Sequence, residues 1–205
     1  MTDKITFYYN PMSRGRIVHW MLEEIGAEYE TKILDWKKAE HKTPEYLKIN
    51  PMGKIPTIVH KNVVITEAAA ICVYLADAFP KADLAPSLTD LNRGTYLRWF
   101  FFAASCLEPA FLDTQNPRTK KVESSHLGYG SSKDTFDTLE KAIANGYILG
   151  KKFSAADIYI SSSMGWGLMT KQLEPRPIFE NYVKICSDRP GFARFTEKAG
   201  GPVGM

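Results

Sequence analysis

The feature that most constrains this chain is the place where its strand signals stop. Up to about residue 80, short apolar or β-branched runs alternate with segments of helical period; from Thr89 onward strand signals nearly vanish. ITFYY (5–9) reads as a strand. Arg14 to Ile25 reads as a helix: Ile17, Met21, Leu22 and Ile25 recur near the helical period. Arg14, Arg16, Glu23 and Glu24 are left to face water, and Gly26 ends the helix. YETKILD (29–35) has strand composition, and HKTPEYLKI holds a short helix stopped at Asn50-Pro51. TIVH and VVI, split by Lys61-Asn62, read as a tight antiparallel hairpin, and EAAAICVYLADAF (67–79) returns to helix. The order β-α-β-α-β-β-α describes a compact α/β unit with a mixed sheet.

PKADLAPS (80–87) carries two prolines and no period, and reads as a connection. Beyond it, LNRGTYLRWFFFAASCLEPAF forms a long aromatic-rich helix and DTFDTLEKAIANGYIL another. Ser154-Ala-Ala-Asp157 has the spacing that lets side chain and backbone cap each other at a helix start. Short helices near 176–187 and 190–198 are expected to complete a helical bundle. The chain therefore divides into an α/β unit (1–80), a linker (81–88) and an all-helical unit (89–205).

Composition excludes several classes. With 26 basic and 23 acidic residues, the net charge of +3 and the lack of a basic run interleaved with aromatics give no footprint for nucleic acid. No apolar run reaches membrane-spanning length, and MTDKITFYYN lacks the apolar core of a secretory leader. Cys72, Cys106 and Cys186 are odd in number and embedded in apolar sequence, which reads as buried free thiols in a reducing cytoplasm. Without a CxxC or a Cys/His cluster, no metal site is expected.

One stretch asks for a ligand. YYNPMSRGRIVHWMLEEIG (8–26) passes from strand to helix through a polar, basic turn that shows the hydroxyl of Ser13. A helix start exposes unpaired N–H groups and partial positive charge, an environment that favours an anion. The plainer reading is that Ser13 caps the helix, and the two roles are compatible.

The order and spacing of four segments, YYNPMSRGR…LEEIG, NPMGKIPTIV (50–59), TEAAAICVYLAD (66–77) and FSAADIYI (153–160), resemble the cytosolic glutathione S-transferases over nearly the whole chain. The likeness is to bacterial-type members and most to those that use a serine. It implies a thioredoxin-like N-terminal domain that binds glutathione as co-substrate, followed by an all-helical domain that shapes an electrophile pocket. It implies attack of the glutathione thiolate on a hydrophobic electrophile, in a cytoplasmic homodimer that needs no metal. In serine-type members the serine at this turn donates to the glutathione sulfur, here Ser13; in tyrosine-type members a Tyr at the end of the first strand does so, here Tyr8 or Tyr9. Successive strand residues face opposite ways, so at most one of these two tyrosines faces the site. The turn has no cysteine, which disfavours thiol-disulfide chemistry. Family likeness further assigns Ile55 and Pro56 (a cis bond whose preceding backbone pairs with the peptide), His41, Lys42 and Lys54 (glycyl carboxylate), and Glu67 with Ala68 (γ-glutamyl end) to glutathione. At Ala68 relatives usually carry serine; losing that hydroxyl removes a hydrogen bond to a charged group, worth ~1.5–3 kcal/mol. Met12, Tyr96, Trp99, Phe100, Ala103, Phe111 and Trp166 are the electrophile-pocket candidates, each weighed against bundle core. His19, His60 and His126 show no partner in sequence that suggests catalysis. Ala68 keeps open a non-catalytic binding or regulatory protein of the same fold, and a glutathione-dependent isomerase would need a basic pocket instead.

Overall fold

The computed structural model describes residues 4–120 and 122–199. They form two compact units: the first runs to Asp83 and regains the chain from Pro190, and the second extends from Leu84 to Arg189.

The first unit contains β1 (Ile5–Tyr9), α1 (Gly15–Ile25), β2 (Tyr29–Ile33), α2 (Pro44–Leu47), β3 (Thr57–His60), β4 (Val63–Thr66) and α3 (Ala68–Ala78), the order expected. The sheet is mixed, in the order β2-β1-β3-β4. β1 runs parallel to β2 and antiparallel to β3, and β3 and β4 are antiparallel. Alternation buries Ile5, Phe7 and Tyr9 on one face of β1, with Val18, Met21, Leu22, Ile71 and Leu75 in the same core. Tyr8 points the other way, where its ring meets Tyr46 of α2 at 5.7 Å. Lys61 and Asn62 both take positive φ, 51° and 65°, as a two-residue hairpin turn following the strand twist requires. Gly26, at φ 63°, ends α1 by donating its N–H to Leu22.

The second unit is helical: α4 (Asn92–Phe102), α5 (Glu108–Gln115), α6 (Ser132–Ala142), α7 (Ala155–Met169) and α8 (Pro177–Ser187). α4 and α5 join through π-helical turns over Ala103–Leu107, directly ahead of Pro109. Proline cannot donate to the carbonyl four residues back and its ring crowds that carbonyl, so the helix widens there instead of breaking. The capping box is present: Asp157 accepts from the Ser154 N–H at 2.9 Å, and the same buried carboxylate accepts from Ile148 N–H and Tyr182 Oη. No helix among the described residues is long and apolar enough to cross a membrane.

Two expectations are corrected. α9 (Pro190–Lys198) does not complete the helical bundle; it belongs to the first unit and packs on α1. Of the three free thiols, Cys72 and Cys186 are buried, but Cys106, in the π-helical turns beside Ser105, is only half-buried.

Candidate functional site

The strand-to-helix turn is built by Asn10. Its side chain donates to the Leu34 carbonyl (2.9 Å) and accepts from Met12 N–H (2.9 Å), while its own carbonyl accepts from Ser13 N–H (3.0 Å). Ser13 is thereby brought to the start of α1, where Oγ donates to Asn10 O (2.7 Å) and accepts from Gly15 N–H (2.9 Å). Accepting a backbone N–H polarises a hydroxyl and makes it a better donor. The helix can start this close to the strand only because residue 15 is glycine: a Cβ there would lie 2.7 Å from Cβ of Tyr9 and 2.9 Å from Ser13 Oγ. Met12, beside Ser13, is 51% exposed.

The two tyrosines part company. Tyr9 is core, stacked on Phe7 at 4.4 Å; burial raises its pKa against the pull of Arg16, so it remains a phenol. Tyr8 is half-buried on the α2 face.

A second loop is shaped by α2. Tyr46 Oη donates to Lys54 O (2.6 Å) and pairs with Thr57 Oγ1 (2.8 Å), and Asn50 Nδ2 also donates to Lys54 O (2.8 Å). Lys42 Nζ donates to Met52 O (2.9 Å), which brings the 41–42 turn onto this loop. Gly53, at φ 58°, lies beneath it with no space for a side chain: a Cβ would lie 2.7 Å from both His41 O and Lys42 Nζ. The Ile55–Pro56 bond is cis, as the family pattern implies. Among the described residues neither the N–H nor the C=O of Ile55 is paired with another main-chain group, so both are free to take up an extended peptide. Lys54 is exposed without an ion-pair partner among the described residues, and the half-buried His41 keeps an unpartnered Nδ1.

Glu67 precedes α3 at φ 63° and ψ 113°, a conformation that costs an L-residue of this size roughly 1–3 kcal/mol and tends to persist where a site needs it. Its carboxylate is exposed and has no ion-pair partner among the described residues, and its side chain does not cap α3. The helix thus opens at Ala68 with free first-turn N–H groups beside a free acid. The acid, the free peptide edge, the exposed ammonium groups and the polarised hydroxyl are each able to meet a different polar group of a ligand.

The electrophile-pocket candidates of the helical unit are largely its core. Tyr96, Trp99, Phe100, Ala103 and Phe111 are all buried, with Tyr96 edge-on to Phe100 at 5.1 Å and Phe111 tilted against Phe136 at 5.9 Å. Trp166 differs, at 38% exposed. His60 is buried against Tyr74 Oη (2.7 Å), a structural contact. His19 and Glu23 hold partners that sequence reading missed. Glu23, expected to face water, is 4% exposed and bound by Tyr29 and Lys198; no local pattern could reveal this, because Lys198 lies 175 residues away.

The fold is a thioredoxin-like domain with a four-stranded mixed sheet, followed by a helical domain, as in structures of glutathione transferases. Residues 3–77 match the family description "Glutathione S-transferase, N-terminal domain". Glutathione S-transferase 1 of Dianthus caryophyllus is 31% identical over 159 residues, covering 70% of each chain. The chain belongs to the glutathione S-transferase family. Among solved structures, a glutathione transferase homolog from Sulfitobacter with bound glutathione is 26% identical, with a TM-score of 0.78 over 96% of this chain and 99% of that one. A glutathione transferase from Phanerochaete chrysosporium in complex with oxidized glutathione is 28% identical, with a TM-score of 0.79 over 96% of each.

Proposed function

We propose that this protein is a serine-type glutathione S-transferase that conjugates the glutathione thiolate to hydrophobic electrophiles in the cytoplasm. The observation that carries this reading is the Ser13 hydroxyl, polarised by Gly15 N–H at the start of α1 and free to turn its proton from Asn10 O to a sulfur. A free thiol ionises near pKa ~8.5, and a hydrogen bond to the charged form lowers that value. The hydroxyl holds the sulfur as thiolate, and the nearby α1 N-terminus adds partial positive charge. The free N–H and C=O of Ile55 align the peptide, Lys42, Lys54 and His41 meet the glycyl carboxylate, and Glu67 takes the α-amino group. The first-turn N–H of Ala68 faces the γ-glutamyl carboxylate. The core position of Tyr9 and the turn of Tyr8 toward Tyr46 favour Ser13 over either tyrosine. Of the electrophile candidates, Met12 in the first unit is exposed, and so is Trp166 in the second. Phe101, 71% exposed on α4, suits a contact with a second copy.

A second reading, a non-catalytic glutathione-binding or regulatory protein, is favoured by Ala68 in place of serine. Titrating the thiolate absorbance of bound glutathione against pH, in wild type and Ser13→Ala, separates them. The conjugating enzyme predicts ionisation well below ~8.5 that reverts in Ser13→Ala. An ordinary thiol in the wild type means a binding protein, and a depression that survives the substitution removes Ser13 from the mechanism.

A further inference from the structure

One carboxylate joins α1, the edge strand β2 and the last helix. Glu23 of α1 accepts a hydrogen bond from Tyr29 Oη of β2 and one of 2.7 Å from Lys198 Nζ of α9. Arg194 Nη2 donates to the Glu23 carbonyl at 2.7 Å, and Arg194 Nε lies 3.7 Å from its carboxylate. His19 Nε2 pairs with the same Tyr29 hydroxyl at 2.9 Å. Burial would raise the pKa of Glu23, but the hydrogen bonds from Lys198 and Tyr29 outweigh it and leave the acid below its ordinary value. Glu23 is buried while Lys198 and Arg194 are half exposed, so a loss of these partners leaves a carboxylate cut off from water and short of donors, which is costly.

α9 has nine residues, too short to hold a helix in water without docking. Its apolar face meets α1 through Phe192 on Trp20 (4.8 Å) and Phe195 on His19 (5.4 Å), and Gly191 sits where a Cβ would clash with Glu24. The ring of Phe195 also lies 4.8 Å under the guanidinium of Arg16. Arg16 belongs to the Ser13 turn, since its N–H donates to Ser13 O at 3.1 Å. An unbroken chain of contacts runs from Glu23 through α9 and Phe195 to Arg16 and Ser13.

We propose that Glu23 is a positioning residue: it bolts α9 onto α1, and through Phe195 the docked helix holds Arg16 and the Ser13 turn in place. The link to Ser13 rests on the reading of that residue given above. The bolt itself does not.

The test is amide hydrogen exchange of the full chain together with glutathione titration, in wild type, Glu23→Gln and Lys198→Met. Glutamine keeps the shape and the Tyr29 hydrogen bond and removes only the charge. Lys198 is half exposed, so its substitution decides the matter if Glu23→Gln fails to fold. Exchange of α9 amides is expected to accelerate by about tenfold or more in both variants while β1, β3 and β4 keep their protection. The dissociation constant for glutathione is expected to rise by roughly 3–10-fold, with the bound-thiol ionisation moving toward its free value. Phe195→Leu, which leaves the ion pair intact, is expected to weaken glutathione with α9 still protected. Unchanged α9 exchange overturns the bolt; fast α9 exchange with unaltered glutathione binding overturns the coupling. If the wild type does not bind glutathione, the coupling falls with the transferase reading, and exchange alone decides the bolt.

Discussion

Replacing Gly15 with alanine probes the closest approach in the candidate site. The added Cβ would sit 2.7 Å from Cβ of Tyr9 and 2.9 Å from Ser13 Oγ. Non-bonded carbons prefer ~3.5–4.0 Å, so the helix start or the strand end must give by about 1 Å. Tyr9 has little room to retreat, being buried and stacked on Phe7 at 4.4 Å. Ser13 Oγ is held on both sides, by Asn10 O and Gly15 N–H. Overpacking of this kind costs ~1–3 kcal/mol, against a gain of at most ~1 kcal/mol from alanine's better helix propensity. Because the added Cβ strikes two held atoms at once, the upper part of that cost range applies, and a net loss of about 1–2 kcal/mol is expected, seen as a lower urea midpoint at unchanged slope. Gly94 is the control: it lies in α4 with nothing within 4 Å of an added Cβ, so Gly94→Ala gains roughly 0.5–1 kcal/mol. Glutathione titration should separate the pair again, since only Gly15→Ala displaces the Ser13 hydroxyl. A Gly15→Ala protein as stable as wild type would refute the close approach and the argument built on it.

Two further outcomes follow from other groups. Burial lowers the pKa of His19 from 6.5 to about 4, a shift that Glu23 opposes and Lys198 and Arg16 reinforce. Between those values the unfolded chain binds a proton that the folded chain refuses. Stability therefore falls as pH drops from ~6.5 to ~4, by up to about 3 kcal/mol from this group; His19→Leu should flatten that part of a urea-midpoint series measured between pH 7 and pH 4.5. Ala68→Ser returns a hydroxyl to the start of α3 and should tighten glutathione by roughly tenfold or more in calorimetry, consistent with ~1.5–3 kcal/mol for a hydrogen bond to a charged group. An unaltered affinity would remove Ala68 from the glutathione site.

Much of the molecule is local chemistry and could be read from neighbouring residues. Lys61-Asn62 turns a hairpin because two residues must accept positive φ, and Ser154 and Asp157 cap α7 because they stand three apart. Gly26 ends α1 for the same kind of reason. The order of strands and helices in the first unit follows from such signals, and so does the placement of Ser13 at a strand-to-helix turn. Free backbone at Ile55 was implied only by the family resemblance of NPMGKIPTIV, and the strained φ of Glu67 lay beyond any pattern of residue types, because both depend on how the chain is bent in three dimensions.

The sharpest divide is at Glu23. Helical period assigns a residue to a face, and the α1 face that carries Glu23 is opposite enough to the sheet to look wetted. Whether water reaches it depends on what arrives later in the chain. By itself, the sequence determined the α/β unit, its turns and caps, and the hydroxyl at the head of α1. Tertiary structure alone decided that α9 leaves the helical unit, covers α1 and buries Glu23 against Lys198, since that burial is a contact between segments 175 residues apart and has no local signature.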